Sequence, residues 1–171
     1  GIDLLLGEPP SAVHPVVWMG RLAGRLEQAA LRLPCAAQLV AGALIAAVLP
    51  AAFAAASALL LVAVAPWPLV ELAAAALLLK PMFAMRELGR AARRVRDSLA
   101  SGRLDRARDD LRSLCSRDAS QLDEPLIVAG AVESVAENLS DSVVAPLLFY
   151  TLFGLPSAVF YRAVNTLDAM I

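Results

Sequence analysis

From Pro34 to Val70 the chain carries no charged residue. That run, with the apolar stretch continuing to Leu79, constrains the fold more than any other feature. A helix that crosses the hydrocarbon core of a bilayer needs about 20 apolar residues. Residues 37–85 therefore have room for two spans folded as a transmembrane hairpin, the first over about 37–64 and the second starting near Leu69. Pro66-Trp67-Pro68 supplies the turn, with Trp67 as an interface anchor. Glu71 and Lys80, near the two ends of the second span, are long enough to snorkel and need no function. A second charge-free run, Ser142 to Tyr161, is interrupted by Pro146, Gly154 and Pro156. Two short helices, about 143–153 and 156–170, are expected there in place of one clean span, because broken helices at membrane depth are tolerated where they pack on protein or line a cavity. At 59% apolar residues and a mean hydropathy of +0.66 over 171 residues, the chain is too apolar for an ordinary soluble domain. The expected fold class is an all-α integral membrane protein: a helical bundle with a transmembrane hairpin, a cytoplasmic helical loop and a broken third membrane segment.

The flanks of the first apolar run fit one domain, 1–171, in four stretches: 1–35, 37–85, 86–124 and 125–171. Residues 1–15 are rich in turn formers, and the first ten have neither the basic start nor the long apolar core of a signal peptide. In 16–33 the period is helical. Trp18, Leu22, Leu26, Ala29, Ala30 and Leu33 share a face, while Arg21, Arg25, Glu27, Gln28 and Arg32 lie off it. That pattern describes an amphipathic interfacial helix with Trp18 at the headgroups, and Gly20-x-x-x-Gly24 in it reads as close helix packing. Residues 80–124 hold 11 of the 15 Lys and Arg, against 8 acids, which places this loop on the cytoplasmic side. It reads as two helices, one lined by Leu88, Ala91, Ala92, Val95 and Leu99, the other by Leu104, Ala107, Leu111 and Leu114. Pairs such as Arg106 with Asp110 are a solvated face. Because acids alternate with bases and no aromatics interleave, a nucleic-acid partner is excluded. Cys35 and Cys115 have no metal-ligand spacing and read as small apolar residues. The chain lacks an initiator Met and stops inside a regular pattern at Met170-Ile171, so a longer parent is expected.

Four polar constellations can carry chemistry. The first is Glu133, Glu137, Asn138 and Asp141. On a helix, acids at four-residue steps fall on one face, and on an Ala- and Val-rich helix beside a bilayer such a face calls for a cation, an Arg cluster or a cationic substrate. Oxygen ligands of this kind suit Mg²⁺; a solvated face salt-bridged to the basic loop is the alternative. The second is Arg117-Asp118 ahead of Asp123, with Arg117 able to grip a phosphate bidentately or the pair serving structure alone. Asp123 also reads as the N-cap, and Pro125 as part of the first turn, of a helix from about Glu124 to Leu139. The third is Asn165-Thr166-Leu167-Asp168, otherwise an ordinary membrane-exit helix. The fourth is His14-Pro15. With a single histidine there is no zinc site, and the absence of P-loop and dinucleotide-binding glycine patterns disfavours enzymes built on those folds.

The order of these motifs resembles a known family. Asp3, Gly7, Glu8 and Pro9 are followed by His14-Pro15-Val16, then Arg117-Asp118 with Leu122-Asp123. Next come Glu133-Ser-Val-Ala-Glu137-Asn138-Leu-Ser-Asp141, Pro146, and Asn165-Thr166-Leu167-Asp168. This series is similar to that of the cobalamin-biosynthesis membrane proteins of the adenosylcobinamide-phosphate synthase (CobD/CbiB) type, over about the first half to two-thirds of such a chain. Departures are Glu8 in place of Asp, Ser116 and Ala119 around Arg117-Asp118 in place of Gly and Thr, and Ser142 in place of Gly. The resemblance implies an ATP-dependent carbon–nitrogen ligase that joins adenosylcobyric acid to an aminoalcohol phosphate, giving adenosylcobinamide phosphate. It implies ATP and Mg²⁺ as cofactors, with Glu133, Glu137, Asn138 and Asp141 catalytic and Glu137 and Asp141 as metal ligands. His14, Arg117, Asp118, Asn165 and Asp168 would bind substrate. The expected setting is a bacterial inner membrane, multi-pass, with 80–141 cytoplasmic, and with the lipid bilayer and other cobalamin-biosynthesis enzymes as partners. A transporter or channel subunit, and a non-catalytic scaffold for biosynthetic enzymes, are the competing readings.

Overall fold

The computed structural model describes residues 15–80, 85–115 and 118–170. Those residues form helices joined by turns, with no strand among them. The helices are α1 Pro15–Ala30, α2 Cys35–Val64, α3 Pro68–Leu79, α4 Met85–Ala100, α5 Leu104–Leu111, α6 Glu124–Leu139, α7 Ala145–Phe153 and α8 Leu155–Asp168. A π-helical turn, Ser140–Val144, joins α6 to α7.

Local chemistry sets the helix ends. Pro68 and Pro125 occupy the first turns of α3 and α6, where a missing N–H breaks no bond. Asp123 caps α6 by accepting the Leu126 N–H at 3.1 Å. Gly154, at φ 81°, turns the chain between α7 and α8, in a region of backbone space that suits glycine. The Ser157 hydroxyl lies 2.7 Å from the carbonyls of both Phe149 and Gly154, and its single proton is shared between these two acceptors of the turn.

The core falls into two parts. In the first, Ala91 and Val95 of α4, Ala107 and Leu111 of α5 and Ile127 of α6 pack together, with Leu114 and Ala119 from the following loop. Ala107, Leu111 and Ile127 have no exposed surface. These are the faces that the helical period selects. Arg106 does not pair with Asp110, however: Asp110 accepts the Ser98 hydroxyl at 2.6 Å. Among the described residues the surface pairs are Arg96 with Asp97, which are neighbours, and Arg108 with Asp105 and Arg112 with Asp109, each three apart; all are worth little in water.

The second part is built from α1, α2, α3 and α8. The side-chain amide of Gln38 donates to the carbonyls of Leu31 and Leu33, at 3.2 and 2.9 Å, closing an antiparallel α1–α2 hairpin. Met19 clusters with Phe53, and Ala23 with Leu49 and Ile45, so α1 lies alongside α2. Leu155, Val159 and Ala163 of α8 join the Met19 cluster, and Leu167 joins Ala23 and Leu49. Glycine makes this contact possible: a Cβ on Gly24 would stand 3.5 Å from Met170 Cε, and one on Gly20 would stand 3.9 Å from Thr166 Cγ2. The packed face of α1 thus contains Met19 and Ala23. The periodic face of Trp18, Leu22, Leu26 and Leu33 stays exposed. Small residues let two helices approach closely, and that decides which face turns inward.

Among the described residues one helix, α2, is long and apolar enough to cross a membrane. It continues through Pro50 and leaves large apolar side chains such as Leu39, Leu44 and Leu59 exposed. The expected second span is not established, because α3 is apolar but only 12 residues long. The broken third segment is 9 residues of α7 and 14 of α8. It breaks once, at Gly154; the chain from α6 into α7 runs on through the π turn.

Candidate functional site

Pro146 shapes the site. A proline inside a helix cannot donate to the carbonyl four residues back, and its ring crowds that carbonyl. Here the helix answers by widening one turn: the Ala145 N–H reaches Ser140 O, five residues back. π turns of this kind recur at functional sites because they re-aim side chains. The widened turn holds Asp141 and Ser142.

The acids that an ideal helix would stack sit in different surroundings. Glu133 and Glu137, on the regular part of α6, are exposed. Asp141 is half-buried against α8. There Asp141 Oδ1 accepts the Tyr161 hydroxyl and Oδ2 accepts the Asn165 side-chain amide, each at 3.3 Å. The other end of the Asn165 amide accepts Arg162 Nη1 at 3.2 Å, and the same nitrogen donates to Ser142 Oγ at 3.2 Å. Asn165 thus links a carboxylate to a guanidinium. The Tyr161 ring is fixed from behind by Phe149 of α7, stacked at a centroid distance of 5.0 Å.

Helical spacing on α8 explains the cluster. Tyr161 and Asn165 are four apart and Arg162 and Asn165 three apart, so each pair shares a face. Asp141 and Asn165 were both legible as candidates, and the structure brings them together. Tyr161, Arg162 and Ser142 were not selected. Tyr161 closes the charge-free run and Arg162 follows it; the signal available for both is their spacing to Asn165.

The other candidates are placed differently. Asn138 turns its amide back on its own helix, donating to Ser134 O at 2.8 Å. Asp118 is exposed on the loop before α6 and accepts the Ser120 backbone N–H at 2.9 Å. That bond, and then the Ser120 hydroxyl, hold its carboxyl below the usual range; desolvation opposes them and the nearby Arg112 charge adds the least. Asp168 is exposed at the last turn of α8, where a negative charge opposes the helix dipole. His14 and Arg117 lie outside the described residues.

Among the described residues no three His, Cys, Asp or Glu side chains are grouped to hold a metal. A three-acid cage of Glu133, Glu137 and Asp141 is therefore not formed. The donor chemistry of Glu137 and Asp141 alone still fits Mg²⁺, which is usually bound by one or two carboxylates with water and substrate phosphate completing its shell. Each oxygen of Asp141 accepts one long hydrogen bond, and a carboxylate has about four acceptor positions.

Comparison with known proteins follows the same residues. The CobD/Cbib protein family matches residues 1–171. The probable cobalamin biosynthesis protein CobD of Thermococcus kodakarensis is 44% identical over 169 residues, covering 99% of this chain and 55% of its own. The cobalamin biosynthesis protein CobD of Dehalococcoides mccartyi is 38% identical over 171 residues, covering 99% of this chain and 56% of its own. The chain thus spans about half the length of the curated relatives it matches. No solved structure matches it. On the family match over the whole chain and identity at this level, the chain belongs to the CobD/Cbib family of cobalamin-biosynthesis proteins.

Proposed function

We propose that this chain is the Asp141-bearing part of an ATP-dependent ligase that joins adenosylcobyric acid to an aminoalcohol phosphate, giving adenosylcobinamide phosphate. One observation carries the reading. The two most specific motifs of the sequence, Glu133–Asp141 and Asn165–Asp168, meet through the Asp141–Asn165 hydrogen bond at 3.3 Å. Asp141 and Asn165 are 24 positions apart in sequence, so proximity along the chain does not account for the contact.

Making an amide from a carboxylate requires activation. In the proposed reaction the substrate carboxylate takes the γ-phosphoryl of ATP, releasing ADP. The amine of the aminoalcohol phosphate then attacks the acyl carbon, phosphate leaves, and the amine gives up a proton. Bound Mg²⁺ would neutralise charge on the phosphoryl oxygens during transfer. Asp141 and Glu137 would hold it, with Tyr161 and Asn165 orienting Asp141. Glu133, exposed two turns before Asp141, is the base for the amine proton or an outer partner of the metal. Asn138 and Asn165 position amides or phosphate oxygens, Arg117 takes a phosphate, and His14, Asp118 and Asp168 bind substrate. The setting is a membrane, with α2 as the span and α4–α6 on the cytoplasmic side.

The test is turnover by the full-length protein in liposomes with adenosylcobyric acid, an aminoalcohol phosphate and Mg·ATP, following the amide by mass spectrometry. Product that requires both ATP and Mg²⁺ is expected. A folded, inserted sample that makes none, or that makes it equally well as the Glu137→Ala, Asp141→Ala double variant at limiting Mg²⁺, would sink the assignment.

A further inference from the structure

Arg162 stands in the candidate site, and the proposed chemistry gives it no task. Its Nη1 donates to two oxygens, Ser142 Oγ and Asn165 Oδ1, at 3.2 Å each. A terminal guanidinium nitrogen carries two N–H groups, so one nitrogen can serve both acceptors. Those acceptors lie on different elements. Ser142 is buried in the π turn, and Asn165 follows Arg162 by one turn of α8. The arginine itself is half-buried.

The two bonds close a ring. Asn165 Nδ2 donates to Asp141 Oδ2 at 3.3 Å, and Asp141 immediately precedes Ser142 in the chain. The ring runs from the Asp141 carboxylate through the Asn165 amide, the Arg162 guanidinium and the Ser142 hydroxyl, then back along the peptide that joins 142 to 141. Only one direction of hydrogen bonding fits it. A guanidinium donates and never accepts, and an ionised carboxylate accepts and never donates. Asn165 must therefore turn its carbonyl to Arg162 and its amide nitrogen to Asp141. Reversed, it would set N–H against N–H at one end and oxygen against oxygen at the other. Ser142 must likewise present its oxygen to the guanidinium. Arg162 thus holds both the residue that donates to Asp141 and the residue beside Asp141 in the chain.

We propose that Arg162 is a positioning residue: from α8 it clamps the π turn through Ser142 and fixes the direction of the Asn165 amide, which keeps the Asp141 carboxylate in one place against α8. The inference rests on the ligase reading, in which Asp141 serves the reaction and Arg162 acts through its two neighbours.

The experiment is a mutant cycle on the full-length protein in liposomes, with turnover counted per folded protein. Coupled residues lose their separate effects when combined, and such cycles are the clean way to apportion a hydrogen-bond network. Arg162→Met is expected to lower turnover about 10-fold, the lower end of what loss of an outer partner costs, and to raise the Mg²⁺ concentration at half-maximal rate. The double variant Ser142→Ala, Asn165→Ala lacks both side-chain acceptors. Adding Arg162→Met to it is expected to cost less than about twofold, the scatter expected of non-interacting changes. A second full drop in that background would make Arg162 a direct substrate contact and overturns the proposal. Parental turnover and Mg²⁺ response in Arg162→Met overturn it as well. Thermal unfolding without Mg²⁺ or substrate supplies a readout apart from activity. The triple variant is expected to lose less Tm than Arg162→Met and the double variant lose in sum; additive losses overturn the ring. Where methionine prevents folding, the same cycle is run with Arg162→Gln and judged by the same outcomes. A parent that makes no amide product removes the ligase reading and this proposal with it, whereas an active parent with an additive cycle removes the proposal alone.

Discussion

Asp141 is the residue on which the site turns, and its neighbours make separable predictions. Its two oxygens are held by Tyr161 and Asn165, one bond each. If Asp141 is a metal ligand, then these are its outer partners, and loss of such a partner typically costs 10–100-fold in activity or metal affinity. Tyr161→Phe and Asn165→Ala are therefore expected to lower turnover about 10- to 100-fold and to raise the Mg²⁺ concentration at half-maximal rate. Asp141→Asn should cost more than either. A Mg²⁺ titration on the three purified variants checks this; equal loss at all Mg²⁺ levels would mean that the hydrogen bonds serve substrate and not metal. The sequence made Asp141 and Asn165 visible because each interrupts an apolar stretch with a group that is costly to bury. It did not make their contact visible, because nothing local relates residue 141 to residue 165. Tyr161 and Arg162 escaped for another reason: at the border of a long apolar run, an aromatic and a cation are what membrane chemistry puts there in any case.

At the scale of the element, the decisive feature is the turn that Pro146 imposes. Much of the helix inventory could be read directly. Asp123 and Pro125 start α6 where capping chemistry places them, and Leu104, Ala107 and Leu111 line one face of α5 at helical period. The π turn could not be read, since the acids preceding it keep a regular four-residue spacing and the disturbance comes from a proline that lies five residues after Asp141. Pro146→Ala offers a test with two readouts of opposite sign. Proline costs about 3 kcal/mol more than alanine inside a helix, so the variant is expected to be as stable as the parent or more so. Restoring the regular i to i+4 pattern would at the same time swing Asp141 from α8, so turnover should fall at least as far as in Asn165→Ala. Melting and turnover on one preparation decide the matter: unchanged turnover in a stabilised variant would show that the widened turn has no part in aiming Asp141. Gly154→Ala probes the other end of α7. At φ 81° and ψ −177° the backbone lies in a region essentially confined to glycine, where an L-residue costs about 1–3 kcal/mol, and the expected loss of stability is of that size.

At the scale of the molecule, the chain joins two cores with different surfaces, which we propose answer to different solvents. The α4–α5–α6 core is closed by Leu111 and Ile127, both fully buried, and the charged faces of α4 and α5 lie outside it. The α1–α2–α3–α8 bundle leaves Leu39, Leu59, Leu69 and Leu77 exposed, an arrangement that water penalises and hydrocarbon does not. The division was legible in the sequence, because the charges concentrate in 80–124 and vanish from 34–70. The number of spans was not legible: an apolar stretch fixes composition but not where a helix stops, and α3 stops after 12 residues. Two substitutions should separate the cores. Ile127→Ala leaves a cavity in the first, at a cost of about 2–5 kcal/mol, and should loosen α4–α6 while the full-length protein stays in the membrane fraction. Leu59→Arg touches no core residue and would be nearly silent in a water-soluble bundle. On the outer face of a span it adds about 2.5–3.5 kcal/mol to insertion near the helix centre, less at its actual position nearer the end, and should shift protein from the membrane to the soluble or degraded fraction. Alkaline extraction of membranes, paired with limited proteolysis of the 85–115 region, reads both effects at once. The two-solvent account requires the variants to fail in opposite assays; if both fail in the same one, then the chain is a single cooperative core, and the exposed apolar face of α2 must be covered by protein instead of lipid.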